Sequence, residues 1–305
     1  MGDINYSYNG IYGLATFNVR FIEEFSKTPR YNSNALSSVL TLVDMISRDP
    51  NIIDIRWGAY ILATVIWETT SPFSVEVLAK NKKGQPIIKN GKPVMVKQKK
   101  WLMTMAPVDE VGHGKGRNYH EPVKVAVLAN GSVRVTEQDG DQFSVSQDGA
   151  IKPLTKGAKM GTTDGGAAVK TYNDDPGSEN AYYGRGYVQL TWWSNYVKAS
   201  VTLNRGLDLL LDPELVKEPK IAYALMSHAM RTGSGFANGH KFSEFFSGKN
   251  RDYKGARRMV NGMDHAEDIA KLAETFEKIL LDSRMYVAIP PPISDEIEGA
   301  PRRWL

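Results

Sequence analysis

Residues 182–196, Tyr-Tyr-Gly-Arg-Gly-Tyr-Val-Gln-Leu-Thr-Trp-Trp-Ser-Asn-Tyr, form the most informative stretch of this 305-residue chain. Glycines flank Arg185 on both sides, so the backbone can turn tightly there and approach another surface closely. Beyond the turn, the amide and hydroxyl groups of Gln189, Thr191 and Asn195 lie among aromatic residues. Sugar hydroxyls need hydrogen-bond donors and acceptors, and the apolar faces of sugar rings pack on aromatic side chains. The stretch therefore indicates a binding surface for a sugar polymer.

The same stretch resembles the Y-G-R-G-x-x-Q-L-S/T-x-x-x-N-Y signature of family 19 glycoside hydrolases, which are the plant-type chitinases and their phage endolysin relatives. The resemblance implies a mainly α, α+β fold with a lysozyme-like helical body. The β-rich block between Glu68 and Tyr182 is longer than in plant family members and predicts an inserted or enlarged antiparallel β lobe on that body. The resemblance also implies that four side chains of the stretch bind substrate: Tyr183, Gln189, Thr191 and Asn195. Without the resemblance, the stretch also fits a glycine-rich turn that leads into an aromatic core helix.

An acidic residue suited to glycosidic bond cleavage ends the most apolar helical segment, at about residues 55–67. Cleavage needs one carboxylic acid to protonate the leaving oxygen and a second carboxylate to activate water or attack the sugar. An apolar setting keeps such an acid protonated, because burial penalises its charged form. The sequence Trp-Glu-Thr-Thr at 67–70 resembles the family's H-E-T-T motif, whose glutamate is the general acid. We expect Glu68 to be this acid, although a glutamate at a helix end also fits an ordinary surface contact.

The second carboxylate is predicted near the alternating glycines at 112–116. In the resembled family this residue follows the acid by a modest stretch and lies on a loop beside the β lobe. Glu110 fits that description best, and Asp109 and Glu121 remain alternatives. An acidic pair that merely solvates a loop is the other interpretation of Asp109 and Glu110.

Two further positions follow from the resemblance and lie late in the chain. Residues 259–262, Met-Val-Asn-Gly, resemble the family's I-N-G segment, whose asparagine contacts substrate, although Asn261 also fits the end of a helix. The family then has an arginine that orients the acid, and Lys271 lies near that place. Arg185 is the other candidate for this role, with anchoring of the glycine-flanked turn as its alternative.

Composition excludes several other kinds of site. With no cysteine, the chain has no disulfide, no thiolate metal site and no cysteine nucleophile. Its five histidines are scattered, and the reaction needs neither a metal nor another cofactor. A net charge of +4 is too small at this length to predict nucleic-acid binding, even with the cluster of Lys97, Lys99 and Lys100. No apolar run reaches transmembrane length, so no membrane contact is predicted.

Hydrophobic periodicity divides the chain into four segments. They are the N-terminal helical part of a catalytic domain (1–74), a β-rich insertion (75–177), the C-terminal helical part of that domain (178–286) and an extended tail (287–305). In the insertion, Asn-Gly and Asp-Gly pairs interrupt alternating apolar residues, which is typical of a hairpin at 85–100 and an antiparallel meander at 123–151. Residues 157–177 are rich in Gly, Thr and Asp and predict a loop. Helices are predicted near 36–46, 55–67, 194–203, 219–231, 240–247, 252–260 and 265–283.

These features predict a glycosidase of β-1,4-linked N-acetylhexosamine polymers that works by acid–base catalysis with inversion. Bacterial peptidoglycan is the expected substrate, because the chain lacks cysteines and shows no secretory signal, as in phage endolysins. Chitin hydrolysis, lytic transglycosylase activity, and a glycan-binding or structural virion protein without turnover remain alternatives. We expect synthesis in the cytoplasm without a signal peptide, and access to the cell wall after release or delivery by a holin, a virion or a secretion apparatus.

Overall fold

Helices from the first and last parts of the chain pack together, and strands from its middle form small antiparallel sheets. The structure is a computed structural model that describes residues 6, 11–158, 178–260 and 262–285. The described α-helices are α1 (Leu14–Phe25), α2 (Leu36–Arg48), α3 (Ile55–Glu68), α4 (Trp193–Thr202), α5 (Asp208–Leu211), α6 (Pro219–Thr232), α7 (Phe242–Phe245) and α8 (Ala266–Asp282). The predicted mainly helical α+β class is confirmed.

α3 lies at the centre of the larger hydrophobic core. The side chain of Asp54 accepts a hydrogen bond from the backbone N–H of Arg56 at 2.9 Å, which satisfies a donor that the first helical turn leaves open. Eleven of the helix's 14 residues are buried, and the helix packs mainly against α8. Each fully buried Ile, Leu or Val contributes roughly 1.5–3 kcal/mol to stability. The apolar character predicted for residues 55–67 therefore makes this helix the interior of the fold.

α1 is a helix that the sequence patterns above do not predict. Phe17, Phe21 and Phe25 recur every four residues, which places their side chains on one face of the helix. All three are buried, and the rings of Phe21 and Phe25 lie 6.2 and 5.1 Å from that of Phe276 in α8. Helices from the two ends of the chain therefore share one core.

Most described strands are short. They are β1 (Ile11–Tyr12), β2 (Ser71–Leu78), β3 (Ile88–Lys89), β4 (Lys92–Pro93), β5 (Met95–Leu102), β6 (Val108–Asp109), β7 (Val123–Val127), β8 (Val133–Thr136), β9 (Gln142–Val145), β10 (Ile151–Pro153), β11 (Ser178–Asn180), β12 (Arg185–Gly186), β13 (Phe246–Ser247), β14 (Asn250–Arg251) and β15 (Arg284–Met285). The two longest, β2 and β5, pair antiparallel along their whole length, from Ser71 opposite Leu102 to Leu78 opposite Met95. Residues 71–102 are called the ribbon below.

The predicted meander is confirmed as part of a five-stranded antiparallel sheet in the order β10-β9-β8-β7-β11. Val135 and Phe143 of this sheet belong to a second core, where the ring of Phe143 lies 5.4 Å from that of Trp193 in α4. The predicted Asn-Gly hairpin is also confirmed, between β3 and β4. Asn90 and Gly91 have φ values of 50° and 74°, as a two-residue type I′ turn requires.

The helices predicted at 240–247 and 252–260 are shorter in the structure. α7 covers only four residues, and the chain then turns at Gly248, where φ is 54°, into the β13–β14 hairpin. A glycine adopts this left-handed conformation without strain, so it ends the helical pattern there. The second predicted helix is a 3₁₀ turn at Gly255–Met259.

Some predictions fall outside the described residues or stay predictions. Asn261, most of the predicted loop at 157–177 and the tail at 287–305 lie outside the described residues. The four segment boundaries and the lysozyme-like arrangement stay predictions. Within the described ranges, no helix has both the length and the apolar character needed to cross a membrane.

Candidate active site

Glu68 is the last residue of α3, and its carboxylate lies against a buried guanidinium. Nη1 of Arg257 donates a hydrogen bond to Oε1 of Glu68 at 2.7 Å, and the two side chains are 1% and 14% exposed. Nε of Arg257 donates to the backbone carbonyl of Asp264 at 2.9 Å, which fixes the orientation of the guanidinium. The sequence predicted an apolar setting for Glu68. The structure differs, because an ion pair with Arg257 holds one of its carboxylate oxygens.

The cation that contacts Glu68 is neither of the two predicted for that role. Lys271 is exposed on α8. Arg185 is buried, and its Nε donates a hydrogen bond to Oε1 of Glu214 at 2.9 Å. Arg257, in the 3₁₀ turn at Gly255–Met259, makes this contact instead.

The threonines after Glu68 fix the end of α3. The hydroxyls of Thr69 and Thr70 each donate to a backbone carbonyl four residues earlier, at 2.7 Å. The Thr70 bond satisfies the carbonyl of Ile66, which the helix end leaves open, whereas the carbonyl of Val65 also accepts the backbone N–H of Thr69 at 3.0 Å. The backbone carbonyl of Thr69 also accepts a hydrogen bond from the hydroxyl of Thr104 at 2.9 Å. Thr69 therefore ties the end of α3 to the segment that follows the ribbon.

Glu110 is bonded directly to the stretch at 182–196. The backbone N–H of Gly184 donates to its Oε2 at 3.1 Å, and the backbone N–H of Glu110 donates to the carbonyl of Gly184 at 2.7 Å. The hydroxyl of Tyr119 donates to Oε1 of Glu110 at 2.9 Å. Burial, and then this hydrogen bond, raise the pKa of Tyr119 to about 12. Each carboxylate oxygen can accept a second hydrogen bond, so Glu110 retains acceptor sites for water.

The close approach of Glu110 depends on the glycine at position 184. A Cβ atom there would lie 2.8 Å from Oε1 of Gln189 and 3.2 Å from Cβ of Glu110. Both distances are shorter than an ordinary contact of about 3.5–4.0 Å. A side chain at Gly184 would therefore displace Gln189, Glu110 or both.

The other two candidates for the second carboxylate have different surroundings. Asp109 accepts a hydrogen bond from Nζ of Lys217 at 2.9 Å and lies 3.7 Å from Nε of Arg185. Glu121 is exposed. Asp109 is thus held by two cations, whereas the donors on Glu110 are neutral.

Arg185 anchors the glycine-flanked turn from inside. Besides Glu214, its guanidinium bonds the backbone carbonyl of Ala181 at 2.8 Å. It lies over the ring of Tyr183, 3.7 Å from the centroid, and the ring of His113 stacks on Tyr183 at 4.4 Å. Because the ring of Tyr183 is already packed, we expect its hydroxyl, rather than its face, to meet a ligand.

Three of the predicted substrate-binding residues line one cleft of about 690 Å³: Gln189, Thr191 and Asn195. Nε2 of Gln189 donates to a backbone carbonyl of β6 at 3.2 Å, and Nδ2 of Asn195 donates to the carbonyl of Thr191 at 2.9 Å. Both amide nitrogens therefore bond backbone carbonyls of the fold, and Oε1 of Gln189 lies close to Gly184. His228 lines the same cleft, and burial followed by the charge of Arg231 lowers its pKa. Glu68 and Glu110 lie outside the lining of this cleft.

One short segment, residues 104–110, joins the two carboxylate sites. It starts at Thr104, bonded to the end of α3, and ends at Glu110, bonded to Gly184. Between them, β6 pairs with β12, with Asp109 opposite Arg185. Six residues span at most roughly 22 Å, even when the chain is fully extended. Segment 104–110 therefore limits the separation of the end of α3 from Gly184 to about this length plus the two contacts at its ends.

Arg257 and Tyr119 are functional candidates that the sequence did not reveal. Arg257 lies 189 positions from Glu68, and its one signal is its place just before the Asn-Gly pair at 261–262. Tyr119 follows the glycines at 112–116, which allow the loop to bend back towards Glu110. Across the described ranges, no group of three or more His, Asp or Glu residues could hold a metal ion.

Part of the chain is similar to a plant chitinase. Over 70 residues it is 40% identical to an acidic endochitinase of Solanum chilense, in a match that covers 23% of this chain and 26% of that protein. The chain thus spans about a quarter of the length of the curated relative it matches. No protein-family model matches the chain, and no solved structure matches it either. The similarity supports chitinase-like glycosidase chemistry through one shared segment of 70 residues.

Proposed function

We propose that this protein is a glycosidase that cleaves β-1,4-linked N-acetylhexosamine polymers, with bacterial peptidoglycan as its substrate. One observation carries the proposal: two carboxylates are held by fixed donors at the two ends of segment 104–110. Arg257 holds Glu68, while Gly184 and Tyr119 hold Glu110. The partial similarity to an endochitinase supports the same class of substrate.

In the proposed reaction, Glu68 donates a proton to the bridging oxygen as the bond between that oxygen and the anomeric carbon breaks. Arg257 occupies Oε1 of Glu68, so Oε2 is the oxygen that carries the proton. Glu110 removes a proton from a water molecule, whose oxygen attacks the anomeric carbon from the opposite face and inverts its configuration. This arrangement calls for roughly 6.5–9.5 Å between the two carboxyl groups, which leaves room for the water.

The sugar is held by side chains of the cleft. The amide oxygens of Gln189 and Asn195 and the hydroxyl of Thr191 accept hydrogen bonds from sugar hydroxyls or acetamido N–H groups. Tyr183 contributes its hydroxyl, and Asn261, outside the described residues, completes the proposed set. Peptidoglycan is placed before chitin because the chain has no cysteine, as in phage endolysins. Both polymers present N-acetylglucosamine.

Isosteric substitutions test the two catalytic roles. Glu68→Gln and Glu110→Gln remove the proton donor and the base while retaining shape, and each is expected to lower the rate of sacculus digestion by about 10²–10⁴-fold. Glu274→Gln is the control, because Glu274 is an exposed carboxylate on α8 that is not a candidate for either catalytic role. Digests of purified sacculi and of chitin oligomers are analysed by mass spectrometry, and the anomer released first is identified by NMR.

The outcomes separate the alternatives. Full lytic activity of Glu68→Gln contradicts the proposal. An anhydro-sugar product together with an active Glu110→Gln variant indicates a lytic transglycosylase, which works with a single carboxylate. Binding to sacculi without any product indicates a glycan-binding or structural virion protein. Release of products from chitin oligomers but not from sacculi makes the protein a chitinase.

A further inference from the structure

The ribbon, residues 71–102, differs from the rest of the chain in charge. It contains eight of the chain's 38 lysines and arginines but only one of its 34 acidic residues, Glu76. The ribbon is therefore strongly positive, although the rest of the chain is slightly negative. All eight lysines are exposed: Lys80, Lys82, Lys83, Lys89, Lys92, Lys97, Lys99 and Lys100.

The ribbon also exposes large apolar side chains. The ribbon contains six exposed large apolar residues: Phe73, Leu78, Ile88, Met95, Val96 and Trp101. The side chain of Trp101 is 53% exposed. Among the described strands, β2 and β5 pair only with each other. At about 3.4 Å per residue, their eight residue pairs form a surface roughly 27 Å long. Large exposed apolar side chains are typical of an interaction surface when several of them share one face.

One face of the ribbon combines both features. Side chains alternate between the two faces of a strand, so the pairing places Leu78, Met95 and Trp101 on the same face as Lys97 and Lys99. Glu76 lies opposite Lys97 on this face and is its single acidic residue.

We propose that this face binds the surface of an anionic lipid bilayer. A linear polyanion would neutralise Lys97 and Lys99 but would leave Leu78, Met95 and Trp101 in water. At a bilayer surface, lysines attract anionic headgroups, while apolar side chains enter the boundary between headgroups and acyl chains. Tryptophan is enriched at this interface. This inference departs from the sequence-based prediction of no membrane contact, and it is independent of the proposed catalytic roles.

Vesicle co-sedimentation of the full chain tests the proposal. The probes are vesicles of phosphatidylglycerol and phosphatidylethanolamine, compared with vesicles of phosphatidylcholine alone, at 0.05 and 0.15 M NaCl. We expect binding to the anionic vesicles and at least about tenfold weaker binding to the neutral ones. Lys97→Glu/Lys99→Glu is expected to bind the anionic vesicles at least about tenfold more weakly. Lys27→Glu/Lys220→Glu, with the same net charge and exposed positions elsewhere, is expected to bind like the parent protein.

The apolar contribution is tested with Leu78→Ser/Trp101→Ser. This variant is expected to lose several-fold of its vesicle binding, most clearly at 0.15 M NaCl, where charges are screened beyond about 8 Å. Circular dichroism and thermal unfolding verify that all variants are folded.

Three results overturn the proposal. The first is absence of binding to anionic vesicles by the parent protein, or equal binding by the ribbon variants and the control. The second is unchanged vesicle binding by Leu78→Ser/Trp101→Ser together with full competition by soluble polyphosphate, which identifies a polyanion as the partner. The third is a dimer on size-exclusion chromatography that the ribbon variants dissociate, which identifies a second copy of this chain as the occupant.

Discussion

Replacing Arg257 with alanine is expected to destabilise the fold, because it leaves the carboxylate of Glu68 without its partner. Arg257 is 1% exposed and Glu68 is 14% exposed, so the guanidinium is buried and the carboxylate is largely shielded from solvent. Removing one partner of a buried ion pair costs about 3–5 kcal/mol, chiefly because the other charge stays desolvated. The residual exposure of Glu68 places the expected value near 3 kcal/mol. In a large domain, 1 kcal/mol lowers the melting temperature by roughly 2–4 °C, so Arg257→Ala should melt roughly 6–12 °C lower.

The control for this substitution is its neighbour in the chain. Arg258 is exposed, so Arg258→Ala should change the free energy of unfolding by no more than about 0.5 kcal/mol. Urea unfolding, followed by circular dichroism, gives the free energy of each variant.

A double-mutant cycle isolates the contact between the two side chains. Glu68→Gln removes the charge that Arg257 neutralises, so Arg257→Ala should cost less in the Glu68→Gln background than in the parent protein. We expect a coupling energy of about 1–3 kcal/mol. Equal costs in both backgrounds, or a cost below about 1 kcal/mol for Arg257→Ala alone, would refute the reasoning. Arg257→Lys should recover part of the stability but little activity, because lysine does not reproduce the planar guanidinium that bonds both Glu68 and the Asp264 carbonyl.

Further predictions concern the second carboxylate and the cleft. Gly184→Ala should cost about 1–3 kcal/mol in urea unfolding and lower sacculus digestion at least tenfold, because its Cβ displaces Gln189 or Glu110; unchanged activity would contradict the proposed contact. The pKa of Tyr119 is raised to about 12 in the folded protein, so the contribution of the neutral hydroxyl to the free energy of unfolding is complete below pH 10 and is lost as the pH rises towards 12. Between pH 10 and 12, Tyr119→Phe should therefore lose stability less steeply than the parent protein, as measured by urea unfolding. Burial lowers the pKa of His228, so in acid the unfolded chain takes up a proton at this residue before the folded protein does. The free energy of unfolding should therefore fall as the pH drops through about 6.5. The variant His228→Asn should flatten that fall, and identical pH curves would rule out this linkage.

Local patterns of the sequence predicted much of the fold. α3 and the Asn90-Gly91 hairpin follow from apolar content and from turn residues that accept positive φ. α1 was missed although Phe17, Phe21 and Phe25 have helical spacing, because the ring that two of them contact, Phe276, is far away in the sequence. Elements whose stability depends on distant contacts are therefore the ones that local patterns miss.

The same distinction between local patterns and distant contacts applies to the residues of the candidate site. Glu68 was predicted because its neighbours in the sequence resemble a short motif, and Glu110 because of its residue type and its position after Glu68. Arg257 was missed, since its contact with Glu68 connects residues 189 positions apart through a 3₁₀ turn, which has no long apolar period. Lys271 was selected by distance along the chain, which does not determine which cation faces the end of α3.

The position of the ribbon explains how it can lie between Glu68 and Glu110 in the sequence without setting their geometry. The ribbon begins at Ser71, three residues after Glu68, and ends at Leu102, which pairs with Ser71. Two residues later, Thr104 is bonded to Thr69, so the base of the ribbon is closed on both sides. The geometry of the two carboxylates then depends on segment 104–110, and not on the length or sequence of the ribbon beyond its base. The exposed surface of the ribbon is therefore free to acquire a separate interaction while Glu68 and Glu110 keep their positions.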